Sequence, residues 1–211
     1  MRNYFKFIVY LFAFIGFSQS IADTRVDFFR AVGIDNARTV RALLDGGFDP
    51  NTPDDKGQVG LFLALREGSL KVAEALLRDP RLKIDATNAA GETPLMMAAL
   101  RGNLDWTRRL LDRGAQFDRE GWTPLHYAAS GPEPKVVALL LDRGARIDAR
   151  SPNGTTPLMM AARYGAEEGA ELLLARGASV AARNDLDLGA VDFARQGGRD
   201  NLAARLERLT R

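Results

Sequence analysis

A nine-residue phrase, Gly121-Trp122-Thr123-Pro124-Leu125-His126-Tyr127-Ala128-Ala129, recurs in this chain of 211 residues at a nearly fixed interval, so any fold must treat every copy alike. Gly91-Glu92-Thr93-Pro94-Leu95-Met96-Met97-Ala98-Ala99 lies upstream and Gly154-Thr155-Thr156-Pro157-Leu158-Met159-Met160-Ala161-Ala162 downstream. Nineteen residues after each Leu a glycine ends a second signature: Leu110-Leu111-Asp112-Arg113-Gly114, Leu140-Leu141-Asp142-Arg143-Gly144 and Leu173-Leu174-Ala175-Arg176-Gly177. A Thr hydroxyl can cap a helix start, and Pro fits the first helical position, where no N–H is needed and its φ is already helical. The Ala pair marks a slim first helix, and the Leu run a second one, closed by a glycine suited to a left-handed cap. One such helix pair cannot bury both of its apolar faces, so consecutive copies must stack.

These motifs resemble the ankyrin repeat, with its period of about 33 residues and its Thr-Pro-Leu-His-x-Ala hallmark. The resemblance implies an all-α ankyrin-repeat solenoid of about six stacked helix pairs with finger loops. Weaker copies extend it in both directions. Gly57-Gln58-Val59-Gly60-Leu61-Phe62-Leu63-Ala64 has Val59 and Gly60 in place of Thr and Pro, and its second helix, Leu70 to Arg78, runs into a reshaped Asp79-Pro80-Arg81-Leu82-Lys83 loop. Asp27 to Ala31 and a helix from Ala37 to Leu44 read as an amino-terminal cap; Ala190 to Ala194 and Asn201 to Leu209 read as a polar carboxy-terminal one. The expected units are 23–51, 52–85, 86–118, 119–148, 149–181 and 182–211. Between the helix pairs, the finger from Asp118 to Gly121 is three residues shorter than those from Asp85 to Gly91 and from Asp148 to Gly154. The unit after it inserts Gly131-Pro132-Glu133-Pro134 between its helices.

Residues 1–22 differ in kind. Arg2 and Lys6 precede an apolar run from Phe7 to Phe17 and the small residues Ser20 and Ala22, the layout of a secretory signal peptide. The run falls short of the roughly 20 residues that span a bilayer. Export to a bacterial periplasm with no stable membrane insertion after cleavage is the expectation; a membrane-anchored form facing the periplasm through an uncleaved leader is the alternative. No Cys occurs, which is compatible with an oxidising compartment. Loss of Arg2 and Lys6 leaves 27 basic against 27 acidic residues, without the clustered basic excess of a nucleic-acid binder.

The chemistry-bearing residues have structural explanations. His126 is the single histidine, and the resemblance implies that it bonds nearby loop backbone or the Thr hydroxyl; Met96, Met159 and Phe62 are expected there as apolar fillers. Asp49, Asp85, Asp118 and Asp148 stand at loop entries, where Asx-type bonds close turns. Asn153-Gly154-Thr155 matches a glycosylation sequon but suits a tight turn better. Trp106 is expected in the core, and Arg109 either pairs with an acid or marks a contact. No catalytic residue, metal ligand or cofactor is expected.

Partner contacts are the functional expectation, in a chain expected to be monomeric. Trp122 occupies a variable slot between Gly and Thr-Pro, where it either anchors a protein partner or covers the clipped finger. In this family the last residues of the first helices line the concave side; here they are Arg66-Glu67, Leu100-Arg101, Ser130-Gly131 and Arg163-Tyr164, a surface for an acidic or aromatic-tolerant protein. Arg66, Leu100, Arg101, Trp122, Arg163 and Tyr164 are therefore the candidate partner-binding residues. Support or protection of another envelope protein is the expected role; an enzyme or ligand carrier with an unrecognised pocket is the rival.

Overall fold

The computed structural model describes residues 23–210, and the leader therefore lies outside the described residues. Among the described residues, twelve helices and one isolated antiparallel bridge, Pro53 to Val59, make up the regular structure. No described helix is long and apolar enough to cross a membrane. The chain divides into two compact units after Lys83.

The first unit holds α1 (described over 23–33), α2 (Ala37–Asp45), α3 (Gly60–Glu67) and α4 (Leu70–Leu77). Phe28, Val40, Leu61, Phe62, Val72 and Leu76 are almost fully buried at its centre. The Phe28 ring explains why this repeat departs from Thr-Pro: a Cβ on Gly60 would lie 2.7 Å from it. Asp35 accepts the Val72 amide at 2.9 Å, so α4 is capped from the preceding helix pair rather than by its own Ser69. In the reshaped loop, Arg81 pairs with Asp79 at 2.6 Å and donates to the Leu44 carbonyl at 3.0 Å. That arginine holds the Asp79 carboxyl below its ordinary range.

The second unit stacks four helix pairs: α5 (Pro94–Leu100) with α6 (Leu104–Asp112), α7 (Pro124–Ser130) with α8 (Pro134–Asp142), α9 (Pro157–Arg163) with α10 (Glu167–Ala175), and α11 (Ala190–Gln196) with α12 (Asp200–Leu209). The first helices α5, α7, α9 and α11 pack in a row, as do the second helices α6, α8 and α10. Ala98, Ala99, Ala128, Ala129, Ala161 and Ala162 are all buried along the first row, where small side chains let helices approach closely. Leu95, Leu110, Leu125, Leu140, Leu158 and Leu173 are fully shielded. The second helices α6, α8 and α10 are closed by Gly114, Gly144 and Gly177 at φ of 85°, 92° and 90°, the left-handed region the signature glycine was expected to supply. Outside, Asp112 pairs with Arg143 at 2.6 Å and Asp142 with Arg176 at 2.9 Å, so the Asp-Arg dipeptides form a ladder from repeat to repeat. These pairs are exposed, and each contributes a fraction of a kcal/mol, roughly 0.2–1.

Two local expectations are corrected. The connections 101–103 and 131–133 have equal length, so Gly131-Pro132-Glu133 replaces ordinary loop residues and inserts nothing, with Pro134 opening α8. The loop-entry aspartates also differ from one another. Asp49 does close its own turn, accepting the Asn51 amide at 2.9 Å. Asp85 and Asp148 instead accept the amides of Gln116 and Ser179 in the following repeat, both at 3.0 Å, and Asp118 pairs with Arg146 at 2.7 Å. The finger turns are closed by other side chains: Asn88 accepts from Ala90 and Glu92, Ser151 from Thr155, and Asn184 from Leu186 and Leu188.

Candidate partner-binding site

The repeated helix start fixes the floor of the site. At each start the third helical residue accepts the N–H of the capping residue: Met96 Sδ from Thr93 and Met159 Sδ from Thr156, both at 3.4 Å, and Asp192 from Gly189 at 2.8 Å. His126 does the same through Nδ1, which accepts from the Thr123 amide at 3.2 Å and lies 2.9 Å from its hydroxyl. Its Nε2 is 3.0 Å from the Thr155 carbonyl, an acceptor, so the proton resides on Nε2. Burial holds the imidazole below its ordinary pKa of 6.5, opposed by the backbone bonds to Thr155 and Ala149. The expected bonds to the Thr hydroxyl and to loop backbone are both present. Met96 and Met159, expected as apolar fillers, are also weak acceptors at the helix cap.

Above this floor, Leu100, Trp122, His126, Tyr127, Ser130, Met160 and Tyr164 line one concavity of about 410 Å³. Trp122 meets His126 edge to face, ring centres 5.2 Å apart. It is half-buried. Tyr127 donates its hydroxyl to Glu92 at 2.8 Å. Burial and that carboxylate push the phenol well above its ordinary pKa, so it is a neutral donor throughout the physiological range. Tyr164 is 54% exposed, an unusual setting for a large ring.

The structure therefore brings Leu100, Trp122, Ser130 and Tyr164 together. Arg163 sits at the edge, its guanidinium 4.9 Å from the Tyr164 ring centre and donating to Gln196 at 2.7 Å. Arg101 is exposed at the end of α5. Gly131 leaves the expected surface: it is buried, and a Cβ there would fall 2.8 Å from the Leu100 carbonyl. Arg66 belongs to the first unit, where it pairs with Glu67 at 2.7 Å and lies 5.7 Å from the Phe62 ring centre. Trp106 is core as expected, and Arg109 stacks over it at 4.3 Å while pairing with Asp105 at 3.9 Å. Tyr127 and Met160 were missed; both fill the x position of Thr-Pro-Leu-His-x-Ala, and reading that column across copies would have found them.

Helix pairs stacked in register, with an open, aromatic-lined concavity between their first helices, define a helical-repeat protein. The description of ankyrin repeats (three copies) matches residues 61–151 and 118–184, more than half the sequence, and the chain belongs to the ankyrin-repeat family. It is 31% identical over 109 residues to mouse ankyrin repeat and SAM domain-containing protein 6, half of this chain but 12% of that protein. It is 36% identical over 98 residues to mouse protein phosphatase 1 regulatory subunit 27, 44% of this chain and 64% of that one. The chain thus spans less than two thirds of these relatives. A chain from the solved complex of the Bd0816 predatory endopeptidase from Bdellovibrio bacteriovorus with immunity protein Bd3460 matches with a TM-score of 0.72 at 25% identity, covering 86% of this chain and 97% of that one. Ankyrin repeats are protein-interaction modules, and the chain is one by family.

Proposed function

We propose that this chain is a non-catalytic adaptor of the bacterial cell envelope, exported by the leader 1–22, that docks one protein partner in the concavity of the second unit and along the adjoining finger turns. The observation that carries the proposal is the concavity itself: Trp122, Tyr127 and Tyr164 converge there, and Tyr164 remains 54% exposed. Aromatic side chains set in a partly desolvated recess are the usual anchors of protein interfaces. The role is to support or shield the partner. The matching solved chain supports this, since it comes from a two-protein complex of an endopeptidase with an immunity protein. An exported enzyme held by this scaffold is the form of partner that best unites that likeness with a secretory leader.

Affinity capture from an envelope fraction, with the intact mass of the bait recorded, tests the reading. A bait beginning near Asp23 should recover a specific protein, and Trp122→Ala or Tyr164→Ala should lose it. Recovery of every protein equally well by wild type and both variants would refute the docking surface. A bait that keeps its leader would refute cleavage and favour the anchored alternative.

A further inference from the structure

The chemistry of the recess and its rim narrows the occupant, on the premise that the recess is the docking site just described. Its wall is apolar and aromatic, and about 410 Å³ has room for one large side chain rather than for a folded element. No carboxylate lines it. Glu92, bonded to the wall residue Tyr127, has both of its oxygens engaged, one by the Tyr127 hydroxyl at 2.8 Å and the other by the Asn88 amide at 2.7 Å. Two arginines adjoin the wall in sequence. Arg101 follows Leu100, is exposed, and holds no carboxylate among the described residues. Arg163 precedes Tyr164, and its polar partner is the neutral Gln196 amide. Elsewhere in this unit Arg143, Arg146, Arg176 and Arg205 each sit on an acid. Arg101 and Arg163, each next in sequence to a residue of the recess wall, thus carry guanidinium groups without a carboxylate partner among the described residues, and positive charge there favours a negatively charged segment.

We propose that the recess selects an acidic segment of the partner carrying one aromatic side chain: the ring enters among Trp122, Tyr127 and Tyr164, and carboxylates on either side of it pair with Arg101 and Arg163. Ring-on-ring packing distinguishes an aromatic anchor from an aliphatic one, and planar guanidinium groups bind carboxylates in a directed way.

The test uses the purified protein and three short synthetic peptides: one phenylalanine flanked on both sides by aspartate and glutamate, the same peptide with alanine in place of phenylalanine, and the phenylalanine peptide flanked by lysines. Trp122 reports binding through its fluorescence, because Trp106 is buried in the core. The acidic phenylalanine peptide should bind saturably, and the other two about tenfold more weakly or worse. Tyr164→Ala should weaken the first peptide by a similar factor. The double variant Arg101→Glu/Arg163→Glu reverses both charges and should turn the preference towards the lysine-flanked peptide, an inversion that loss of the Arg163 contacts to Tyr164 and Gln196 would not by itself produce. Equal binding of acidic and basic peptides, or a preference that the double variant leaves unmoved, would overturn the proposal. Binding of none of the three would also overturn it. If partner capture still depends on Trp122 in that case, the docking site stands and its specificity is something else; if capture is independent of Trp122, both fall.

Discussion

His126 Nε2 donates to the Thr155 carbonyl at 3.0 Å, joining the first helix of one repeat to the finger of the next, while Nδ1 caps that same helix through Thr123. Removing the ring leaves a buried carbonyl and a buried amide without partners. His126→Ala should therefore cost roughly 2–4 kcal/mol. His126→Met should cost less, because a thioether can take over the cap as it does at Met96 and Met159, yet it cannot reach Thr155 as a donor. Urea unfolding of the three proteins decides the order; an alanine variant as stable as the parent would dismiss the bridge.

Acid should weaken the same joint. The folded pKa of His126 is depressed below 6.5, so below that pH the unfolded chain takes up a proton that the folded chain refuses. Stability attributed to His126 is fully present above pH 6.5 and declines as the pH falls towards the depressed folded value, at no more than about 1.4 kcal/mol per pH unit. Comparing parent with His126→Met between about pH 7.5 and 5.5 isolates this contribution from the carboxylates, which titrate lower. Parallel stability profiles would contradict it.

Two glycines in the third helix pair of the second unit should respond in opposite directions. A Cβ on Gly165 would sit 1.9 Å from the Ala129 carbonyl of the preceding repeat, and the backbone cannot yield cheaply. Gly165→Ala should lose about 3 kcal/mol or more. Gly169 lies within α10, and an added Cβ there meets nothing within 4 Å. Gly169→Ala should gain about 0.5–1 kcal/mol from helix propensity. Thermal melts of the pair test the close approach of successive repeats.

The finger turns carry a smaller prediction. Gly57, Gly91 and Gly154 occupy the left-handed position of their turns at φ of 73°, 76° and 76°, and Asp187 holds the matching place at 58°. An L-residue there is strained by roughly 1–2 kcal/mol, part of which a glycine gives back as backbone entropy. Asp187→Gly should stabilise the protein by up to about 1 kcal/mol, read by chemical denaturation; a loss would mean that the Asp187 side chain has a role of its own.

The stacked helix pairs were legible because Thr-Pro starts and glycine ends are local chemistry, repeated in register. The row formed by the ends of the first helices was legible for the same reason: Leu100, Ser130 and Arg163 hold equivalent positions, so stacking aligns them, with Arg101, Gly131 and Tyr164 one residue on. Contacts that need a second repeat were not. An aspartate that accepts an amide two residues on and one that accepts an amide 31 residues on, as Asp85 does from Gln116, present the same letter at the same loop entry. Gly60 stands where the other copies have proline, and the reason, the Phe28 ring 2.7 Å from where its Cβ would be, lies in a different helix pair. Tyr127 and Met160 escaped notice because the position they occupy admits both core and surface: Met97, their counterpart, is 3% exposed.

Hydrogen exchange of the captured complex against the free protein tests the central claim most directly. Slower exchange should concentrate at the ends of α5, α7 and α9, around residues 100, 122–130 and 160–164, with the outer helices α6, α8 and α10 unchanged. Protection confined to those outer helices, with the aromatic recess exchanging as it does in the free chain, would contradict it.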